Sequence, residues 1–227
     1  IGGGSGGIAT ARRAAEFGAD VALIESERLG GTCVNVGCVP KKVMWNASRL
    51  NEMLGTANEY GFDVKRGYFN WGTLIERRNA YIARLNSIYQ KNLKASRVDQ
   101  IQGRASFVDS GSILVCSEVI RAKHILIATG GIPTVPQIAG ANFGLTSDGF
   151  FSLTQQPRKV LIVGAGYIAT EFAGVLNALG SDVTMLLRKD ALLRNFDILL
   201  QEKVMEAMSK NGIKIISNKY VKTLNSG

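Results

Sequence analysis

An α/β fold built on two repeated strand–turn–helix–strand units is predicted from three observations in the 227 residues. The glycine cluster IGGGSGG, Ile1 to Gly7, runs directly into an alanine-rich helical stretch. A second glycine turn, Gly164 to Gly166, follows the apolar run KVLIV and opens another helical stretch. A short β-rich run comes next in each case, DVALIE in the first and DVTMLL in the second. That order of elements makes two parallel strands joined by a crossover helix.

Of the strand entering the first turn only Ile1 is present. Ala9 to Phe17 reads as its helix and Asp20 to Glu25 as the next strand. Residues 35–58 read as largely helical, with Pro40 near the helix start, where a missing N–H costs little. Thr73 to Leu93 predicts a long helix, with Leu74, Ile75, Tyr81, Leu85, Ile88 and Leu93 near a helical period. Between Ile101 and Ile120, short β-rich runs broken by DSGS predict a small antiparallel sheet. HILIATGG, His124 to Gly131, reads as a buried strand ending in a turn, and Gly131 to Phe151 as a linker-like crossing. In the second unit Phe196 to Gly212 reads as a helix and IKIIS, Ile213 to Ser217, as a strand. The boundaries fall at 1–130 for a first domain, 131–157 for the crossing and 158–227 for a second domain. The sequence opens without Met and stops where another strand is due, so both ends are expected to continue in a longer protein.

At 46% hydrophobic and 20% charged, the chain has the composition of a globular protein with a buried core. No apolar run approaches the roughly 20 residues of a membrane span, so no membrane role is expected. The net charge of +9 suits polyanions. Lys and Arg are scattered and carry no nucleic-acid motif, which favours small anions such as nucleotides over nucleic acid or a membrane surface. The cytoplasm is the expected compartment, a mitochondrial or plastid form being compatible with the open N-terminus.

Gly2-x-Gly4-x-x-Gly7 matches the dinucleotide fingerprint, with Glu25 at the end of the following strand. Its glycines let the turn close, let backbone approach a pyrophosphate and let helix pack on strand. The helix N-terminus then faces the phosphates with N–H donors, and Glu25 accepts from ribose hydroxyls. The second copy reads Gly164-x-Gly166-x-x-Ala169, and its next strand ends MLLRKDALLR. Arg188 stands where an acid would select NAD, and a guanidinium there binds a 2′-phosphate through paired hydrogen bonds. Arg188 and Arg194, with Lys189, therefore indicate NADPH. One acidic and one basic partner imply two different cofactors; FAD at the first turn and NADPH at the second would make an electron relay.

Cys33 and Cys38 stand five positions apart in GGTCVNVGCVPKK, in a chain with three cysteines. Metal binding, a structural staple and electron exchange are all open to such a pair. Structural zinc needs about four ligands, and only Cys116 and His124 remain, without a spacing motif. A staple over so short a loop adds little. Exchange is favoured, because Lys41 and Lys42 follow within one turn and would stabilise a thiolate. Cys116, in a β-rich run, reads as a packed thiol, and His124, opening a strand, as structural.

Together, GGTCVNVGCVPKK, the two fingerprints, ATGG and GYIATE resemble the disulfide-reducing flavoenzymes over essentially the whole chain. That group includes glutathione, trypanothione, mercuric and large thioredoxin reductases and lipoamide dehydrogenase. The resemblance implies Rossmann-like FAD and NADPH units of three-layer ββα type, with a C-terminal dimerisation domain missing from residues 1–227. It also implies a redox-active Cys33–Cys38 disulfide, Cys38 facing the flavin and Cys33 attacking the substrate. Tyr167 would lie over the nicotinamide pocket, and Lys41 and Glu171 would pair beside the flavin's reactive nitrogen. Cofactor contacts carried over are Gly2, Gly4, Ser5, Gly6, Gly7, Glu25, Gly31, Thr32, Cys33, Lys41, Ala105, Thr129, Gly130, Gly164, Gly166, Tyr167, Ile168, Glu171, Arg188 and Arg194.

Within the group, Arg188 replaces the acid of the NAD-using lipoamide enzyme, and Ala9 and Arg12 replace the acid and tryptophan of the trypanothione enzyme. Ser5, Ala9, Arg12, Ile88, Tyr89 and Asn92 resemble a glutathione disulfide site, where Arg12 offers a carboxylate partner. The resemblance thus implies NADPH-dependent reduction of glutathione disulfide by a homodimer. Thioredoxin or trypanothione reduction is the alternative within the group, and a non-catalytic nucleotide-binding fragment the alternative outside it. The family's acid–base His–Glu pair comes from the dimerisation domain, so residues 1–227 alone are expected to turn over poorly.

Overall fold

The computed structural model describes residues 1–65 and 67–225. Backbone packing divides the chain into two compact units, residues 1–40 with 77–133 and residues 41–76 with 134–227. Gly227, the expected end of the second domain, lies outside the described residues.

In the first unit, helix α1 (Ser5–Glu16) begins four residues before its expected start. The glycine turn closes tightly enough for the Ile8 N–H to reach the Gly4 carbonyl at 3.0 Å. Strand β1 (Ala22–Glu25) pairs in parallel with a strand at Asp99–Gln102, running from Ala22 opposite Asp99 to Glu25 opposite Gln102. Residues 101–102 therefore end a parallel strand rather than beginning the antiparallel sheet. Pairing runs one bond further, from the Gly103 N–H to the Glu25 carbonyl at 2.8 Å, before the chain turns away.

The expected helix over residues 35–58 is two helices, α2 (Gly31–Val36) and α3 (Cys38–Thr56), split at Gly37. A side chain at Gly37 would put its Cβ 2.8 Å from the Thr32 carbonyl oxygen. Helix α4 (Trp71–Ala95) follows, and Asp99–Gln102 becomes β2. Two of the three breaks between units fall inside α3 and α4, and the third lies at Pro133–Thr134, outside any helix.

Adjacent residues of β1 point to opposite faces. Leu23 packs with Ile8, Ala11, Leu93 and Val98, from α1, α4 and the approach to β2. Ile24 packs instead with Ile113 and Val115 of an antiparallel sheet. Helices, parallel strands and antiparallel strands thus form three layers in this unit, as expected.

That antiparallel sheet is a meander of β3 (Ser106–Asp109), β4 (Ser112–Val115) and β5 (Glu118–Arg121). Its DSGS corner is held by the Gly111 N–H donating to Asp109 Oδ1 at 2.8 Å. Cys116 and Ser117, at φ 48° and 70°, form the two-residue hairpin between β4 and β5. Left-handed backbone at both loop positions matches the strand twist. Cys116 is consequently exposed at a loop tip, not packed as expected, and its thiol donates to the Gln102 carbonyl at 3.3 Å.

HILIATGG is not a buried strand. Leu126 and Ile127 are 49% and 63% exposed, and His124 is exposed rather than structural. Its backbone ties are Ile1 N to the Leu126 carbonyl at 2.7 Å and Ala128 N to the Ile1 carbonyl at 2.8 Å. Two such bonds do not make a ladder.

The second unit carries a parallel sheet in the order β6 (Lys159–Val163), β7 (Asp182–Leu186), β8 (Lys214–Ile216). A short helix, α5 (Ser147–Phe150), precedes it, α6 (Tyr167–Ala178) joins β6 to β7, and α7 (Ile198–Lys210) joins β7 to β8. Val183, Met185 and Leu187 are fully buried, and α6 buries Ala173, Val175 and Leu176. Residues 134–157 belong to this unit: Ala139 bridges Thr223, and Phe150 stacks on Phe172 at 4.1 Å. Among the described residues no helix is long and apolar enough to cross a membrane.

Asp197 caps α7, its Oδ1 accepting from the Leu199 N–H at 2.9 Å. Asp197→Ala should lower unfolding free energy in urea by about 1 kcal/mol with an unchanged denaturant slope.

Candidate active site

The first glycine turn has no room for side chains at two of its fingerprint positions. A Cβ on Gly7 would collide with the Gly2 carbonyl oxygen, and one on Gly2 (φ 106°) with the Ala128 carbonyl. The start of α1 is thereby pressed against the turn, leaving Ser5 and Gly6 exposed. Glu25 does more than the sequence suggested. Its Oε2 accepts from the Gly3 N–H at 2.6 Å and its Oε1 from the Glu27 N–H at 2.7 Å. The carboxylate braces the loop, and each oxygen retains a lone pair for a hydroxyl.

Gly31, at φ 59°, approaches Gly4 so closely that a Cβ on it would lie 2.7 Å from the Gly4 Cα. Thr32, Thr129 and Gly130 are exposed, whereas Ala105 packs against the Ile24 cluster.

Beside this turn lies a cavity of about 360 Å³, lined by Ser5, Ile8, Ala9, Arg12, Arg13, Glu16, Gly30 and Tyr89. Four of the six expected substrate residues, Ser5, Ala9, Arg12 and Tyr89, thus share one wall-to-wall space. Ile88 and Asn92 do not line it: Ile88 is exposed on α4 and Asn92 is half-buried. Arg12 is oriented by its Nε donating to Ser96 Oγ at 3.0 Å. Arg13 and Glu16, not anticipated, form an ion pair at 2.7 Å on the cavity rim. Their i,i+3 spacing along the Arg12 helix was the available signal.

In the second unit a cavity of about 400 Å³ gathers Gly164, Gly166, Tyr167, Arg188, Lys189 and Arg194, with Leu193 and Phe196. The basic residues are exposed, and their loop is pinned to the glycine turn by the Leu193 N–H donating to the Ala165 carbonyl at 2.7 Å. Leu193 adopts φ 52° there and is buried. Ile168 is exposed on the first turn of α6, and Glu171 follows one turn later.

Cys33 sits half-buried in α2, and Cys38 is exposed as the first residue of α3. The lysines after them have other engagements than the thiolate support expected from spacing. Lys41 Nζ pairs with Glu171 Oε1 at 2.6 Å, within the second unit, and Lys42 Nζ lies 3.4 Å above the Trp45 ring. Among the described residues no group of three or more His, Cys, Asp or Glu gathers as for a metal.

All 227 residues match the pyridine nucleotide-disulphide oxidoreductase family. The chain belongs to that family. Glutathione reductase of Schizosaccharomyces pombe is 50% identical over 240 residues, covering 100% of this chain and 52% of that protein. The glutathione reductase of Yarrowia lipolytica is 46% identical over 242 residues, covering 99% and 51%. The chain therefore spans about half the length of the curated relatives it matches. A solved structure, an HOCl-induced flavoprotein disulfide reductase from Escherichia coli, resembles it with a TM-score of 0.85 at 29% identity. That likeness covers 98% of this chain and 49% of the other.

Sequence reasoning for this pyridine nucleotide-disulphide oxidoreductase missed its buried polar groups. Arg78 is 1% exposed, its guanidinium donates to Asn79 Oδ1 at 2.9 Å, and burial pushes its pKa down. Asn35, also buried, donates to the carbonyls of Arg28 and Leu29, in the loop before the cysteines, and of Gly31 at the start of α2. Nothing in composition or spacing separates these residues from exposed neighbours of the same type.

The Lys41–Glu171 pair is partly exposed, which limits its worth. A double-mutant cycle with Lys41→Ala and Glu171→Ala should give a coupling of about 1 kcal/mol in urea unfolding, shrinking in 1 M salt.

Proposed function

We propose that the protein reduces glutathione disulfide with NADPH, through FAD and a redox-active Cys33–Cys38 pair. The observation that carries this reading is the single cavity shared by Ser5, Ala9, Arg12 and Tyr89, the residues expected for a carboxylate-bearing disulfide. The curated relatives named as glutathione reductases support the same substrate.

Residues 1–130 would hold FAD and residues 158–227 NADPH. Backbone at Gly2 and Gly7 is packed without space for a Cβ, leaving N–H groups at the start of α1 for a pyrophosphate. Arg188, Lys189 and Arg194 line a cavity against the second turn and suit a 2′-phosphate. When bound, FAD and NADPH would supply the hydride chemistry that opens the disulfide. Tyr167, exposed and lining the second cavity, would move aside for the nicotinamide.

The chain's own part is thiol exchange. Cys33, as thiolate, attacks one sulfur of glutathione disulfide and expels one glutathione thiolate. Cys38 then attacks Cys33 in the mixed disulfide, releasing the second and restoring the Cys33–Cys38 bond. Lys41, held by Glu171, would set a cation on α3 that suits the negative charge a bound flavin takes up on reduction. Arg12 takes a substrate carboxylate. The working form is a homodimer whose other subunit supplies the acid–base pair.

Full-length protein should be yellow with a flavin spectrum and develop a long-wavelength thiolate–flavin band on anaerobic addition of NADPH. Glutathione disulfide should outrun thioredoxin and trypanothione disulfides in steady-state rate, and the 227-residue chain alone should turn over far more slowly. Arg188→Ala should raise the KM for NADPH by roughly 10- to 100-fold while leaving NADH little affected. Full-length protein that holds no flavin and gives no NADPH-dependent band would falsify the reading.

A further inference from the structure

We propose that Asn86, on α4, is a positioning residue that holds the cysteine segment in the geometry from which its disulfide closes. The inference rests on the reductase reading above and adds to it a residue that lines neither of the two cavities described.

The observation is a small amide network inside the first unit. Asn86 Nδ2 donates to the Leu29 carbonyl at 2.7 Å and to Asn35 Oδ1 at 3.0 Å. Asn35 Nδ2 in turn donates to the carbonyls of Leu29 at 3.1 Å, Gly31 at 2.9 Å and, more weakly, Arg28 at 3.4 Å. Asn35 lies between Cys33 and Cys38 and is 8% exposed. Asn86 is thus the tie between the long helix and both ends of the cysteine-bearing α2: the loop that enters it and the side chain of its fifth residue.

The arrangement needs such a tie. Helix α2 has only six residues, too few to be stable by its own hydrogen bonds, and it is flanked by Gly30 at φ 101° and by Gly37. Asn35 gathers the carbonyls on either side of Gly30, but an amide with so many backbone partners needs an anchor of its own. Asn86 provides it from a 25-residue helix whose Leu93 is fully buried. Gly30 also lines the Arg12 cavity, and Tyr89 lines it from α4 one turn beyond Asn86. The clamp therefore places one cavity wall and the cysteine helix from the same helical segment.

Its energetic effect falls on one redox form. A closed disulfide already restrains residues 33–38, so the clamp adds little order there. In the dithiol that covalent restraint is gone and the clamp holds the cysteine helix in place, which raises the effective concentration of one thiol at the other. Removing it frees the dithiol, weakens ring closure and makes the couple easier to reduce.

The test uses full-length, flavin-loaded protein equilibrated with reduced and oxidised dithiothreitol. Reduction transfers two electrons and two protons from the reagent dithiol to the Cys33–Cys38 disulfide, giving two protein thiols and cyclic oxidised reagent. The fraction reduced is read by alkylation and mass spectrometry of the peptide bearing both cysteines. Asn86→Ala removes the amide, and Asn86→Asp keeps its shape but replaces its donors with acceptors. Both should lower the equilibrium constant for disulfide formation about tenfold, equivalent to ~30 mV for a two-electron couple. Ser87→Ala, which loses only a bond to the Ala83 carbonyl along α4, should titrate like wild type. Asn86→Ser, a milder change, serves if the other two do not fold and should fall between them and wild type. Asn86 variants that fold and match the wild-type titration overturn the proposal. A wild-type protein whose two cysteines exchange no electrons with dithiothreitol overturns the reductase reading itself, so the two failures are distinct.

Discussion

The closeness of Gly7 to the Gly2 carbonyl governs the first unit. Because no Cβ separates them, α1 starts directly on the turn and leaves it at one angle. Three residues expected at the substrate cavity ride on that helix, Ser5 in its first turn, Ala9 one turn later and Arg12 beyond it. Arg12 then meets Ser96 at the far end of α4, and Glu25 secures the loop from the strand side. A helix displaced by the width of one methyl group would move the cavity wall and the carboxylate brace together.

The second unit solves the same problem less tightly. Its third fingerprint position is Ala169, and a Cβ added to Gly164 would lie 3.4 Å from the Ala169 methyl, a tight but far less crowded approach. The turn is held instead from outside, by the Leu193 N–H reaching the Ala165 carbonyl. That bond also sets the basic loop against the turn. A braced, acidic first site and a loop-clasped, basic second site follow from one motif with one glycine exchanged for alanine and one acid for arginine.

Much of this was legible in the sequence, and the failures share a cause. Fingerprint glycines, Glu25 and Arg188 announce themselves because their roles depend on backbone freedom or charge at fixed offsets from a strand. Helix α4 was visible in its apolar period. HILIATGG misled because apolar content predicts a strand only when neighbours exist to pair with it, and among the described residues its backbone bonds run to Ile1. Cys116 misled because Val115 and Glu118 pair across a two-residue turn, which needs left-handed backbone at two residues not known for it. Lys41 and Lys42 looked alike beside the cysteines, yet one turns to Glu171 and the other to Trp45. Side-chain direction on a helix is decided by partners that lie more than a hundred residues away for Lys41 and three for Lys42.

The placement of two unit breaks inside helices bears on how the chain is made. Residues 41–76 leave the ribosome before any of residues 134–227, with which they pack. Neither compact body can therefore close in order of synthesis; the first must wait for residue 133 with a foreign insert in its middle. Until then Lys41, Asn51 and Trp71 lack Glu171, the Ala178 carbonyl and the Leu153 carbonyl respectively. A nascent chain of this design keeps α3 and the front of α4 partnerless for much of translation, and that interval is where chaperone binding should concentrate.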